Sequence, residues 1–244
     1  VAHGFGLSFD FPAEVTAAAQ EAAERGMPET GSSAADGRVD RTDLLVFTID
    51  PADAKDHDDA LSVTELGGGR FEVGVHIADV SHFVPEGGVI DVEALARGTS
   101  VYLVDRTIPM LPEALSADVC SLMGGMDRLA VSVFIELDLA AEVYGRRYER
   151  TRIRCSDGLS YEQAQSVLDG GGAISPEIDN AIRTLDDLAR RVRADRARRG
   201  ALDLEIPEAR VVLDERGHPV DILRRERLES HRLIEDFMVL ANEV

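Results

Sequence analysis

Cysteine and long apolar runs are both scarce in this sequence of 244 residues. The two cysteines, Cys120 and Cys155, are too few for the disulfide framework of a small secreted protein. No apolar run approaches the roughly 20 residues that a membrane-spanning helix needs. Residues 1–12 also lack the basic and apolar segments of a secretory signal peptide. We therefore expect a globular protein of the cytoplasm that has no membrane partner.

Positive charge is also in short supply. The chain has 46 acidic residues against 26 lysines and arginines, a net charge of −20, and Lys55 is its single lysine. Such a balance argues against general binding to nucleic acids or anionic membranes. Residues 146–200 are an exception, because their arginines outnumber their acidic residues. These arginines fit either contacts with phosphate groups or ion pairs with the surplus of acids.

The spacing of apolar residues predicts an α+β protein with a mixed, largely antiparallel sheet flanked by helices. Residues 1–42 read as a lead-in, with a helix over Ala13–Arg25 and a linker over Glu29–Gly37, and residues 43–244 as the main domain. The predicted strands are Leu44–Ile49, Ala60–Leu66, Phe71–Ile77, Ser100–Val104, Leu129–Leu139, Arg146–Arg154, Leu202–Leu213 and Val220–Leu223. The predicted helices are Asp91–Arg97, Tyr161–Leu168, a long helix from Pro176, and Leu228–Val244.

Five aspartates fall within ten residues: Asp50, Asp53, Asp56, Asp58 and Asp59. Carboxylates held this close repel one another unless a cation offsets their charge. The segment is therefore either a solvated acidic loop or a site for a hard metal ion. The two predicted strands that bracket it favour a metal site, and oxygen ligands suit Mg²⁺, with Mn²⁺ as an alternative.

Other metals and other ligands fit the sequence less well. Zinc is disfavoured because neither cysteines nor clustered histidines accompany the aspartates, and no register of the segment supplies an EF-hand. His76, Asp79 and His82 are spaced like ligands, but the alternation around His76 is typical of a structural strand residue. Cys120 reads as a small buried residue. A magnesium site lined by aspartates is suited to the transfer of a phosphoryl group to water.

The segment from Thr48 to Val63 resembles the signature of the catalytic (RNB) domain of the ribonuclease II/ribonuclease R family. The similarity covers most of the chain. It continues, in the same order, through Val75–Val84, Arg97–Tyr102, Ile108–Pro112, Leu115–Ser116, Cys120–Leu122, Asp127–Arg128, Leu233–Glu235 and Leu240–Asn242.

The resemblance implies a 3′-to-5′ exoribonuclease that processively hydrolyses single-stranded RNA to nucleoside 5′-monophosphates with a divalent metal. By this resemblance Asp50, Asp56 and Asp59 would hold Mg²⁺, and Asp58 would be the most catalytic of the four. Tyr102 would stack on a base next to the scissile bond. Asp53 would be an additional acid at a variable position.

The chain also departs from the family pattern. The flanking OB-fold domains and the C-terminal third of the catalytic domain, with its phosphate-contacting arginine, are absent. The family's second aromatic residue would fall near Leu202–Ile206, where this chain has aliphatic and acidic residues. We therefore expect the chain alone to bind metal weakly and to hydrolyse RNA poorly. Two alternatives stay open: an inactive RNB-fold module that binds RNA or serves as a scaffold, and another magnesium-dependent phosphoesterase. The sequence predicts no oligomeric state.

Overall fold

A computed structural model describes residues 8–28, 37–172, 174–202 and 208–244. In chain order its elements are α1 (Ala13–Arg25), β1 (Val39–Asp50), β2 (Asp59–Gly67), β3 (Arg70–Ala78), α2 (Val89–Arg97), β4 (Val101–Tyr102), β5 (Thr107–Ile108), β6 (Asp127–Asp138), β7 (Val143–Ser160), α3 (Tyr161–Leu168), α4 (Pro176–Arg198), β8 (Glu208–Leu213), β9 (Pro219–Arg225) and α5 (Glu229–Glu243). A short 3₁₀ turn over Val80–His82 and a π-helical turn over Leu115–Val119 complete the set for these residues. None of the helices in the described ranges combines the length and apolar content of a membrane span.

The chain divides into two compact units, which we describe separately. The barrel unit takes its described residues from Met27–Asp79, Ser121–Leu204 and Arg227–Val244. The minor unit takes its described residues from Val1–Gly26, Val80–Cys120 and Glu205–Glu226.

Five strands of the barrel unit close into a barrel in the order β1-β2-β3-β6-β7. Neighbouring strands pair antiparallel except β1 and β7, whose parallel pairing closes the barrel. The predicted mixed, largely antiparallel sheet is therefore confirmed, but nothing in the sequence pattern predicted its closure. β1 begins at Val39, inside the segment interpreted as a lead-in, because Val39 already pairs with Thr151 of β7.

The turn between β2 and β3 and the start of α3 both have local causes in the sequence. Gly68 and Gly69 both have positive φ and connect the two strands, a conformation that glycine adopts without strain. The Ser160 hydroxyl accepts a hydrogen bond from the main-chain N–H of Gln163, whose side chain caps Ser160 in return. This reciprocal capping box starts α3 directly at the end of β7.

The main apolar core lies between the barrel strands and helices α3, α4 and α5. Barrel residues such as Phe47 and Leu61 are completely buried in it. Helix α4 contributes an apolar stripe of buried residues, namely Ile178, Ile182, Leu185, Leu188 and Val192. Burial of this stripe supplies a large share of the hydrophobic free energy that holds α4 against the barrel.

A buried polar network crosses four barrel strands around His76. Its Nε2 atom lies 2.9 Å from the Ser62 hydroxyl, and its Nδ1 atom lies 2.7 Å from the Ser132 hydroxyl. Ser132 in turn lies 2.6 Å from the Thr151 hydroxyl. Complete burial lowers the pKa of His76 to about 3, so the ring is neutral. These contacts agree with the interpretation of His76 as a structural residue.

The arginines of residues 146–200 are largely engaged in ion pairs. Examples are Arg147 with Glu72, Arg154 with Asp127, Arg190 with Asp186, Arg191 with Asp187, Arg193 with Asp236 and Arg199 with Asp195. Several of these pairs connect different elements, as between α4 and α5. The structure therefore favours the ion-pair interpretation of the basic segment over a surface of unpaired arginines.

The minor unit contains α1, α2, the short β4–β5 pair and the β8–β9 hairpin. Within it the guanidinium group of Arg97 lies 3.7 Å from the centre of the Phe11 ring and donates to the carbonyl oxygen of Asp10. The predicted strand Ser100–Val104 is reduced to two residues. Most of the linker Glu29–Gly37, and residues 203–207 of the predicted strand Leu202–Leu213, lie outside the described residues.

Candidate active site

The aspartate cluster occupies the loop that joins β1 to β2 at one end of the barrel. β1 ends at Asp50, β2 begins at Asp59, and the two strands pair antiparallel through Val46–Ser62 and Phe47–Leu61. A turn within the loop is closed by the main-chain N–H of Ala54, which donates to the Pro51 carbonyl oxygen at 2.9 Å. Because β1 and β2 pair antiparallel, the loop begins and ends at the same end of the barrel. This agrees with the expectation that two strands bracket the aspartates.

A histidine that sequence analysis did not select lies at the centre of the cluster. The Nδ1 atom of His57 is 2.7 Å from the Oδ2 atom of Asp50, and both side chains are mostly buried. The hydrogen bond to Asp50 and the charges of Asp50, Asp56 and Asp58 raise the pKa of His57 against the opposing effect of burial. The position of His57 between two aspartates was the one signal that could have identified it.

Two of the aspartates ionise less readily than free aspartate. Burial, followed by the charges of Asp50 and Asp58, raises the pKa of Asp59 to about 6. The pKa of Asp58 is also raised, by loss of hydration and by the charges of Asp56 and Asp50, although its side chain keeps contact with solvent. In both cases His57 acts in the opposite direction and lowers the pKa. The loop thus concentrates negative charge at the barrel end.

This donor set fits a divalent cation in its chemistry. Carboxylate oxygens are the ligands that Mg²⁺ prefers, and a cation would offset the repulsion that, after burial, raises the pKa values of Asp58 and Asp59. Within residues 8–28, 37–172, 174–202 and 208–244, no group of three or more His, Cys, Asp or Glu side chains has the arrangement of a metal site. The assignment of Asp50, Asp56 and Asp59 as ligands therefore stays a prediction.

Two further residues were singled out in the sequence, Asp53 and Tyr102. Asp53 is an exposed residue of the same loop. Tyr102 belongs to the minor unit, where it pairs with Thr107 in the β4–β5 ladder, and 70% of its surface is exposed. An exposed aromatic ring of this kind is suited to stacking on a nucleic-acid base.

The family model of the RNB domain matches residues 38–244 of this chain. The chain belongs to the RNB-domain family. The resemblance seen in its sequence motifs is confirmed, and so is the α+β fold of an RNB domain. The match includes the whole barrel and the aspartate loop.

Named relatives and solved structures agree with this membership. The RNB domain is 45% identical to Ribonuclease R of Thermotoga maritima over 85% of this chain and 30% of that protein. Mycoplasma genitalium RNase R, solved in complex with ribose methylated single-stranded RNA, superimposes with a TM-score of 0.90 at 30% identity, over 98% of this chain and 37% of that one. The chain thus spans roughly a third of the length of these relatives.

Not every relative of this RNB domain is named as an active enzyme. A protein of Arabidopsis thaliana named Inactive exonuclease DIS3L2 is 43% identical over 84% of this chain and 21% of its own length. Membership of the family therefore indicates a fold and a type of chemistry, and activity depends on the residues of the site.

Proposed function

We propose that this RNB domain is the catalytic part of a 3′-to-5′ exoribonuclease that processively hydrolyses single-stranded RNA to nucleoside 5′-monophosphates. The observation that carries the proposal is the aspartate loop, in which Asp50 and Asp59 end and begin paired strands of a family barrel. Both the position and the number of its carboxylates suit phosphodiester chemistry.

The aspartates divide into two roles. Asp50, Asp56 and Asp59 would hold Mg²⁺ or Mn²⁺, which supplies a positive charge that polarises the phosphate and stabilises the leaving oxygen. Asp58 is an exposed residue next to Asp59 in the loop, and its raised pKa makes it a better proton acceptor than a free aspartate. We assign Asp58 the role of orienting the attacking water and taking up its proton.

RNA binding would depend on other parts of the protein as well as on this chain. Tyr102 would stack on a base, and single-stranded RNA tolerates such a platform whatever its sequence. The net charge of −20 leaves this chain poorly suited to bind a polyanion by itself. We infer that the rest of the catalytic domain and the flanking OB-fold domains supply much of the affinity, so that the chain alone is weak or inactive.

An inactive RNA-binding or scaffold module is the alternative that a specific observation favours, because one relative at 43% identity is named inactive. The four aspartates count against it, since a module without activity has no need of all of them. Measurement of RNA hydrolysis distinguishes an exoribonuclease from an inactive RNA-binding or scaffold module.

The test is a degradation assay on 5′-labelled single-stranded RNA, with the full-length protein that carries this chain and with an Asp58→Asn variant. We expect the parent to shorten the RNA from its 3′ end and to release 5′-monophosphates, identified by chromatography. The variant should lose at least about 100-fold in rate, in line with removal of a proton acceptor, while its affinity for RNA is unchanged. Full turnover by the variant would refute the role of Asp58, and an inactive parent that still binds RNA would favour the scaffold function.

A further inference from the structure

A buried serine fastens the aspartate loop to the barrel unit. The Ser121 hydroxyl donates to the main-chain carbonyl oxygen of Lys55 at 2.9 Å and accepts from the main-chain N–H of His57 at 3.0 Å. Its side chain thus bridges the residues on either side of Asp56. Ser121 is completely buried, so water does not replace it in these hydrogen bonds.

The residues around Ser121 hold the serine itself in place. The main-chain N–H of Leu122 donates to the carbonyl oxygen of His57 at 2.9 Å. Both the N–H and the carbonyl oxygen of His57 are therefore hydrogen-bonded to this segment. The Leu122 side chain is fully buried in an apolar cluster with barrel residues. Arg128, a buried residue of β6, donates through Nε to the Ser121 carbonyl oxygen at 2.7 Å. Ser121 is therefore held by the barrel and in turn holds the loop.

The aspartate loop needs such a restraint because its own charges push it apart. Asp50, Asp56 and Asp58 each act on a neighbouring carboxyl group with a repulsive charge. A loop without fixed points would relieve this repulsion by moving the carboxylates into solvent. The hydrogen bonds at Lys55 and His57 prevent that movement on both sides of Asp56.

We propose that Ser121 is a positioning residue, which holds Asp56 and Asp58 in the arrangement that metal binding and RNA hydrolysis require. It acts through the main chain of the loop and touches no reacting group. The inference rests on the proposed function of the aspartates, and it gives a role to a residue that the sequence places in the Cys120–Leu122 block without any assigned function. Residues that orient metal ligands in this way commonly change metal affinity by about 10- to 100-fold when they are replaced.

The test compares Ser121→Ala with Ser132→Ala in the 244-residue chain. Ser132 is an equally buried serine whose hydroxyl also has two hydrogen-bond partners, His76 and Thr151, and both of these lie outside the aspartate loop. Two quantities are measured: binding of Mn²⁺ alone by electron paramagnetic resonance, and amide hydrogen exchange of the loop by mass spectrometry. We expect Ser121→Ala to weaken Mn²⁺ binding by about 10-fold or more and to accelerate exchange at His57. Ser132→Ala should change neither quantity.

The two readouts separate the positioning role from the proposed function. If Ser121→Ala leaves exchange of the loop unchanged, or weakens Mn²⁺ binding no more than Ser132→Ala does, Ser121 is not a positioning residue. If the parent chain itself binds no Mn²⁺, the metal assignment fails, and loop exchange alone then decides whether Ser121 restrains the loop. Equal losses in both variants would mean general destabilisation of the barrel and would overturn the inference.

Discussion

The imidazole of His57 lies 2.7 Å from the carboxylate of Asp50, seven residues earlier at the end of β1. This hydrogen bond connects the middle of the aspartate loop to its first carboxylate and places an imidazole among the acids of the cluster. The raised pKa of His57 is the reciprocal effect of those acids. The His57 main-chain N–H also donates to the Ser121 hydroxyl, and the Leu122 N–H donates to the His57 carbonyl oxygen. These hydrogen bonds and the contact with Asp50 restrain a segment that like charges would otherwise extend.

Replacement of Asp59 by asparagine should stabilise the metal-free protein at neutral pH. The pKa of Asp59 is about 6 in the folded chain and close to 4 when unfolded, so folding favours its protonated form. Stability is therefore lost as pH rises from about 4 through 6, and above that range the ionised carboxylate costs about 1 to 3 kcal/mol.

Thermal unfolding of the parent and Asp59→Asn with a chelator present measures this cost. The variant should melt at a higher temperature than the parent near neutral pH, and the difference should disappear below the unfolded pKa, near pH 4. Asp53→Asn is the matched control, because Asp53 is exposed in the same loop. An equal gain in both variants would mean that net charge, and not burial of Asp59, is responsible.

Glycine is required at position 74 by the buried network. A Cβ atom there would lie 2.4 Å from the Ser62 hydroxyl and 2.7 Å from the Nε2 atom of His76. We expect Gly74→Ala to destabilise the barrel by about 1 to 3 kcal/mol, measured by denaturant unfolding. Gly145→Ala is the control, because its nearest neighbour, the Glu136 carboxylate, would lie at an ordinary 3.8 Å. Equal stability of the two variants would show that the network yields easily.

The buried His76 should make the protein sensitive to acid. Its pKa is about 3 in the folded state and near 6.5 in the unfolded state, so below pH 6.5 only the unfolded state gains the proton. The contribution of His76 to stability therefore falls as pH decreases from about 6.5 to 3, by up to about 1.4 kcal/mol per pH unit.

A His76→Gln variant tests this effect, since glutamine offers hydrogen bonds to Ser62 and Ser132 but does not titrate. As pH is lowered, the parent should lose more unfolding free energy than the variant does. A difference that stays constant over this range would show that His76 takes up its proton equally in the folded and unfolded states, so that burial does not lower its pKa.

Sequence patterns predicted the local elements well because their causes are local. The capping box of Ser160 with Gln163 and the turn at Gly68 and Gly69 each depend on residues a few positions apart. Closure of the barrel depends on pairing between β1 and β7, about a hundred residues apart, and no periodicity encodes it. The aspartates were found because all five fall within ten residues of sequence, whereas the role of Ser121 was missed because its contacts with the loop span more than sixty positions.

Tyr102 offers the most direct test of how RNA is held. Its ring is exposed, and a stacked base contributes about 1 to 3 kcal/mol to the binding of single strands. In the full-length protein we expect Tyr102→Ala to weaken binding of single-stranded RNA and to change the length of the final product, whereas Tyr102→Phe should preserve both. Binding is measured by fluorescence anisotropy and product length by gel electrophoresis. Tyr144→Ala is the matched control, because Tyr144 is another exposed tyrosine but belongs to the barrel unit. If Tyr102→Ala and Tyr102→Phe behave alike, the aromatic ring does not hold the RNA, and the RNA-binding role carried over from the family does not apply to this chain.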